Sequence, residues 1–229
     1  MATSHSMFQS TVMQKAVVAI SGLLFVLFLI GHLGGNLLLY TGPMAFNKYA
    51  QGLKDLGPLL WVLRIVMIMS LVLHVTFTIR LRQRNSLARP VEYTKKSPVA
   101  STLYSRSMMY TGLTILAFVI FHLAHFTWGK IQPEHYTGTW MLPDGRTTHD
   151  VYKMTIAGFK VAWISIIYIL CVSMVMMHLQ HAIQSAVQTL GFRHPRYTPM
   201  VLKAGAAIAT VLWLGFISIP ISVMSGIVH

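Results

Sequence analysis

Five long apolar stretches constrain the fold of this chain more than any other feature. They run from Ala16 to Tyr40, Leu59 to Ile79, Met108 to Thr127, Met154 to Met177 and Met200 to Val228. Each is near or above the ~20 residues that an α-helix needs to cross ~30 Å of hydrocarbon. The composition, 55% hydrophobic and 10% charged, excludes an ordinary soluble domain. We therefore predict an all-α membrane protein.

The predicted architecture is a five-transmembrane-helix bundle that forms one domain over residues 1–229. The predicted helices cover about 16–40, 59–79, 108–127, 154–182 and 200–228. The longest connection, residues 128–153, contains two prolines and three glycines and is predicted to be an irregular loop or a short hairpin. The single cysteine, Cys171, excludes an intrachain disulfide and a cysteine-ligated iron–sulfur cluster on this chain.

The basic residues are concentrated in two connections. Between the second and third stretches lie Arg80, Arg82, Arg84, Arg89, Lys95, Lys96 and Arg106, against one acid, Glu92; between the fourth and fifth lie Arg193, Arg196 and Lys203. Because positive loops stay on the cytoplasmic side, we predict a cytoplasmic N-terminus and a first helix that runs outward. The net charge of +13 does not indicate a nucleic-acid partner, since the basic residues are not interleaved with aromatic residues on a soluble face.

Histidines lie in four of the five predicted helices. They are His32 in helix 1, His74 in helix 2, His122 and His125 in helix 3, and His178 and His181 in helix 4. An ionisable group inside a membrane span is costly, so each is a candidate functional residue. The alternative is that these rings only form hydrogen bonds between helices.

The depths of four histidines sort them into two pairs. His32 and His122 lie past the midpoints of outward-running helices, whereas His74 and His178 lie past the midpoints of inward-running ones. The pairs are predicted to be on the order of 12 to 24 Å apart before helix tilt. Neutral imidazole is a strong axial ligand for haem iron, and two such ligands suit electron transfer. We therefore predict two b-type haems, one held by each pair.

Three further residues are candidates for the surroundings of these haems. His125 and His181 lie one helical turn beyond His122 and His178, so they are predicted to orient a ligand or to face the propionate groups. The alternative that His125 replaces His122 as the ligand stays open. Arg64, near the outer end of helix 2, either pairs with a propionate or extends to the membrane surface.

Four segments resemble a known family: "FLIGHLGGN", "LVLHVTF", "FVIFHLAHFTW" and "HLQHAIQSAVQTLGF". With them the whole chain resembles the cytochrome b membrane-anchor subunit of the succinate dehydrogenase/fumarate reductase family, in its five-helix, two-haem form. The resemblance implies that His32 and His122 hold the haem distal from the catalytic subunits, and that His74 and His178 hold the proximal haem.

The resemblance also implies partners and a location. A flavoprotein subunit and an iron–sulfur subunit would dock on the cytoplasmic face of a bacterial inner membrane. Electrons would pass from succinate through those subunits and the haems to a quinone, or in reverse for fumarate reduction. The dicarboxylate would not bind to this chain, which would be the quinone-reactive electron-transfer subunit.

Members of this two-haem type generally use menaquinone near the outer face. In the first outer connection, "KYAQGLKDLG", the one carboxylate is Asp55. Because a quinone exchanges protons at its oxygens, Asp55 is a candidate for that exchange. The alternative is an exposed loop acid that caps the second helix.

Two other functions compete with this interpretation. The chain could be the haem anchor of another membrane dehydrogenase, such as a hydrogenase or a formate dehydrogenase, but the segment "HLQHAIQSAVQTLG" argues against this. It could also be a small transporter whose histidines relay protons.

Overall fold

Seven α-helices make up most of the described chain. In the computed structural model, which describes residues 10–88, 103–192 and 194–229, these are α1 (Thr11–Leu37), α2 (Pro43–Asp55), α3 (Pro58–Leu87), α4 (Leu103–His122), α5 (Val151–Lys160), α6 (Ala162–Thr189) and α7 (Thr198–Met224). A 3-10 turn, Leu38–Thr41, continues α1, and a π-helical turn, Leu123–Thr127, continues α4. The predicted hairpin is present as β1 (Thr139–Met141) and β2 (Thr147–His149), which pair antiparallel.

Five of these helices are long and apolar enough to cross a membrane. The spans are Thr11–Thr41, Pro58–Leu87, Arg106–Thr127, Ala162–Thr189 and Thr198–Met224. Large apolar side chains such as Ile68 and Leu170 remain exposed on their surfaces, as contact with lipid requires. The predicted all-α five-helix membrane bundle is confirmed.

The spanning helices are arranged around α1 and α6. Helix α3 packs against α1, α4 packs against α6, and α7 covers both α1 and α6. We call the end of the bundle where α1 begins the inner end and the opposite end the outer end. The cytoplasmic location of the inner end stays a prediction, and several of the charged residues on which it depends, Arg89, Glu92, Lys95, Lys96 and Arg193, lie outside the described residues.

The first outer connection was wrongly predicted to be a loop, because it forms the helix α2. Gly42 takes a φ of 99°, which an L side chain rarely adopts, and Pro43 follows as the first helical residue. Helix α2 is only 13 residues long, too short to appear in a search for membrane-length stretches. Its buried Asn47 donates to Asp150 and accepts from the backbone N–H of Tyr152, so α2 is fixed to the start of α5.

The fourth predicted helix, 154–182, is in fact two helices. Asp150 caps α5 by accepting from the N–H of Lys153, and the chain then becomes extended at Val161 before α6 begins. Ser165 donates to the carbonyl oxygen of Phe159 at 2.6 Å, which satisfies one acceptor freed by the break. Helix α5 packs against α2 and α7 at the outer end. Together α2, the hairpin and α5 form the outer cap.

Candidate functional site: paired histidines in the bundle

A large cavity lies between α1, α3, α4 and α6. Its volume is about 3670 Å³, several times the ~300–1,000 Å³ of ordinary ligand pockets. The cavity is lined by one predicted ligand from each of the four helices: His32, His74, His122 and His178. The described residues that line it include no Asp or Glu.

The outer pair of histidines meets across this cavity. The ring centroids of His32 and His122 are 5.8 Å apart, and the ring planes are nearly perpendicular at 86°. A metal–imidazole bond is about 2 Å long, and the bound nitrogen lies about 1 Å from the centre of its ring. Two imidazoles on opposite sides of one metal therefore have centroids roughly 6 Å apart. The spacing of the outer pair is therefore close to that of two axial ligands of one metal, and it is also the spacing of an edge-to-face contact between two rings.

Each histidine of the inner pair is held by a hydroxyl group on a neighbouring helix. The Nδ1 of His74 lies 3.0 Å from Oγ of Ser21, and the Nδ1 of His178 lies 3.1 Å from Oγ1 of Thr111. The two histidines of the inner pair therefore have equivalent supports.

The hydroxyl groups determine which ring nitrogen is free. Ser21 donates its proton to the carbonyl oxygens of Val17 and Val18, and Thr111 donates to those of Ser107 and Met108. Each hydroxyl oxygen then accepts from the Nδ1–H of its histidine. Nε2 is left unprotonated, as a haem-iron ligand must be.

The two hydroxyl-bearing residues were missed by the sequence analysis, although a signal for them exists. Residues 21–32 read SGLLFVLFLIGH and residues 111–122 read TGLTILAFVIFH. Each stretch places a hydroxyl and a glycine at the inner pair and a histidine at the outer pair. Added Cβ atoms at Gly22 and Gly112 would lie 3.5 and 3.6 Å from Cε1 of His74 and His178, so both glycines directly face these rings. The internal repeat thus builds both levels.

His125 differs from His122 in its surroundings. It is 4% exposed, is absent from the described residues that line the cavity, and has both ring nitrogens in hydrogen bonds. His122, not His125, is brought next to His32. His181 does line the cavity, one turn further toward the inner end than His178.

Cationic side chains line both ends of the cavity. Lys15, Arg82 and Arg106 lie at the inner end, and Arg64 lies at the outer end with its guanidinium 5.0 Å from the ring of Trp61. An anionic group bound in the cavity would find a positive charge at either level.

No protein-family model, curated protein or solved structure matches the chain. Among the described residues, no group of three or more His, Cys, Asp or Glu side chains could hold a metal ion. A metal held by one histidine pair would therefore need further ligands, such as the four nitrogens of a macrocycle.

Asp55 lies outside this site. It is the last residue of α2, is absent from the described residues that line the cavity, and is ion-paired with Arg146 at 3.1 Å. Hydrogen bonds from Gln51 and Arg146 hold the pKa of Asp55 below its ordinary value. The alternative that Asp55 caps the next helix is wrong, because Gly57 occupies the N-cap of α3 and no side chain caps it.

Proposed function

We propose that this chain is the dihaem cytochrome b membrane-anchor subunit of a succinate:quinone oxidoreductase, or of its fumarate-reducing counterpart. In that role it carries electrons between an iron–sulfur subunit and a membrane quinone. The observation that carries the proposal is the contact of His32 with His122, together with the presence of His74 and His178 at a second level of the same cavity, in a five-helix membrane bundle.

The residues around the cavity fit two b-type haems. Nε2 of His74 and of His178 is free to bind iron, and the outer pair has the spacing of two axial ligands. An added Cβ at Gly31, which precedes His32 and lines the cavity, would meet nothing within 4 Å, so a bulky planar group has room there. Bound at these two levels, the haems would supply one-electron transfer across the membrane.

The charged side chains fit the propionate groups of such haems. Lys15, Arg82 and Arg106 would neutralise the propionates of the inner haem, and Arg64 is placed to do so for the outer haem. Arg64 also lies against Trp61, so extension toward the membrane surface remains its alternative role.

The partners follow from the same proposal. The iron–sulfur subunit, which carries the flavoprotein subunit, would dock at the inner end and deliver electrons to the inner haem. A quinone, proposed to be menaquinone, would bind at the outer end, where Tyr49, Trp61 and Trp128 line the cavity. The protein would then reside in the bacterial cytoplasmic membrane as a multi-pass subunit. Dicarboxylate chemistry would occur on the flavoprotein subunit.

The deciding experiment is the haem stoichiometry of the complex purified from its native membrane through a tag on this chain. We expect two haem b per chain in a pyridine haemochrome assay, with a flavin-bearing and an iron–sulfur subunit in the same preparation. Absence of b-type bands from the reduced-minus-oxidised spectrum would reject the proposal and favour a transporter. Haem without succinate dehydrogenase or fumarate reductase subunits would favour the anchor of another dehydrogenase.

Single replacements test the two levels separately. Replacing His74 or His178 by Ala should remove the inner haem and leave the outer one detectable. Replacing His32 should do the reverse. Retention of both haems in all three variants would refute the pairing.

A further inference from the structure

A chain of hydrogen bonds links His122 to Gln132, which lies in the connection between α4 and the hairpin. Oε1 of Gln132 lies 2.8 Å from Nε2 of His125, whose Nδ1 lies 3.0 Å from the hydroxyl of Tyr168. The same hydroxyl lies 3.3 Å from Nδ1 of His122. Gln132, His125 and Tyr168 are all buried, with exposures of 9%, 4% and 6%. These three residues form a relay that ends at His122.

Donors and acceptors in this relay can be ordered from one end. An amide oxygen only accepts, so His125 donates its Nε2–H to Gln132. The Nδ1 of neutral His125 is then an acceptor, and Tyr168 donates its O–H to it. The oxygen of Tyr168 is left to accept from the Nδ1–H of His122. This order leaves Nε2 of His122 unprotonated.

We propose that Tyr168, His125 and Gln132 are positioning residues that fix the tautomer and orientation of His122 and thereby set the redox potential of the outer haem. This inference rests on the proposed function. The inner histidines each use one hydroxyl on a neighbouring helix, whereas His122 is held by a three-residue relay.

Aromatic packing holds the relay in place. The ring of Tyr168 meets Phe118 and Phe159 edge-to-face, with centroids 5.1 and 4.9 Å apart, and His125 stacks on Phe126 at 3.9 Å. A Cβ added at Gly158 would lie 3.0 Å from Nε2 of His125, so a larger residue there would require the His125 ring to shift by a few tenths of an ångström. The hydroxyl of Tyr168 is thereby confined to the space between the two histidines.

The relay has a defined electronic effect. A ligand imidazole that donates its Nδ1–H becomes a stronger base, which favours ferric over ferrous iron and lowers the potential. Replacement of Tyr168 by Phe removes the acceptor and keeps the ring. We expect the affinity of His122 for ferrous iron, relative to its affinity for ferric iron, to rise by up to about tenfold. For a one-electron couple this raises the redox potential of the outer haem by about 59 mV.

The test is a redox titration of the purified complex carrying Tyr168→Phe, Gln132→Met or Tyr152→Phe. The outer haem is identified as the one retained when His178 is replaced by Ala. Tyr168→Phe should raise the redox potential of the outer haem alone. Gln132→Met should raise it less, because two hydrogen bonds separate Gln132 from Tyr168. Tyr152→Phe is the matched control, since its hydroxyl donates to the His229 carbonyl and touches neither His122 nor His125.

The outcomes separate this inference from the proposed function. If the wild-type complex lacks two haems, the proposed function itself fails. If both haems are present and the outer potential is unchanged in Tyr168→Phe and Gln132→Met, the relay is overturned and the proposed function stands. If Tyr168→Phe does not fold, Gln132→Met decides alone, because it leaves the aromatic packing around Tyr168 unaltered. A shift of the inner potential instead of the outer one also overturns the relay.

Discussion

Replacement of Thr111 by Val tests how the inner histidine His178 is held. Thr111 is 2% exposed, and its hydroxyl is the acceptor 3.1 Å from Nδ1 of His178. Valine has nearly the same shape and no oxygen, so the buried Nδ1–H loses its partner at a cost of about 1–3 kcal/mol. Loss of such an outer-shell contact typically weakens metal binding 10–100-fold. At 1.36 kcal/mol for each factor of ten, a 10–100-fold loss of affinity corresponds to about 1.4–2.7 kcal/mol. This range agrees with the cost of the unpaired Nδ1–H.

Under the proposed function, the assay is haem release from the purified complex into an excess of haem-scavenging apoprotein. We expect the inner haem of Thr111→Val to be released about 10–100-fold faster than that of the wild type, with the outer haem unaffected. Thr114→Val is the matched control, because Thr114 lies one turn further along α4 and donates only to the carbonyl of Tyr110. Equal release from the wild type and Thr111→Val would refute the assigned role of the hydroxyl. So would equal acceleration in the control.

Three further predictions concern a proposed ligand, the packing between helices and the carboxylate of Asp55. His178→Ala should halve the haem content measured as pyridine haemochrome, and an unchanged content would reject His178 as a ligand. In Gly215→Ala the added Cβ would lie 2.7 Å from Cδ2 of the buried Leu33, so the thermal unfolding temperature in detergent should fall through overpacking of about 1–3 kcal/mol. Gly34→Ala, where nothing lies within 4 Å, should not lower that temperature, and equal effects would contradict the packing argument. Asp55→Asn should retain both haems, and slower quinone turnover would be the signature of proton exchange by this carboxylate; turnover at the wild-type rate would rule that exchange out.

The spanning helices were predictable because membrane-length hydropathy is a property of the local sequence. The break at Val161 was not, since valine is an ordinary residue of membrane helices. Tertiary contacts end α5 at this point: the helix packs against α2 and α7, and Ser165 donates a hydrogen bond to the carbonyl of Phe159. A search for long apolar stretches therefore joined α5 to α6.

The sequence could sort the histidines by depth but could not show their partners. His122 and His125 are three residues apart, so helical periodicity alone gives both nearly the same face. The π-helical turn that begins at Leu123 changes the register between them, and His125 turns toward Tyr168 and Gln132. Asp55 was selected as the one acid of its connection, and its ion pair with Arg146, which lies 91 residues further along the chain, depends on the folding of the outer cap.

The repeat shared by α1 and α4 fixes the vertical distance between the two histidine levels. Ser21 and His32 are eleven residues apart, as are Thr111 and His122, which at 1.5 Å per residue is about 16 Å, or roughly half of the ~30 Å hydrocarbon thickness. A full crossing is worth ~2.3 kcal/mol per elementary charge for each 100 mV, so an electron passing between the levels would gain or lose about 1.2 kcal/mol for each 100 mV. In the proposed function, the voltage of an energised membrane would therefore help electrons in one direction and oppose them in the other.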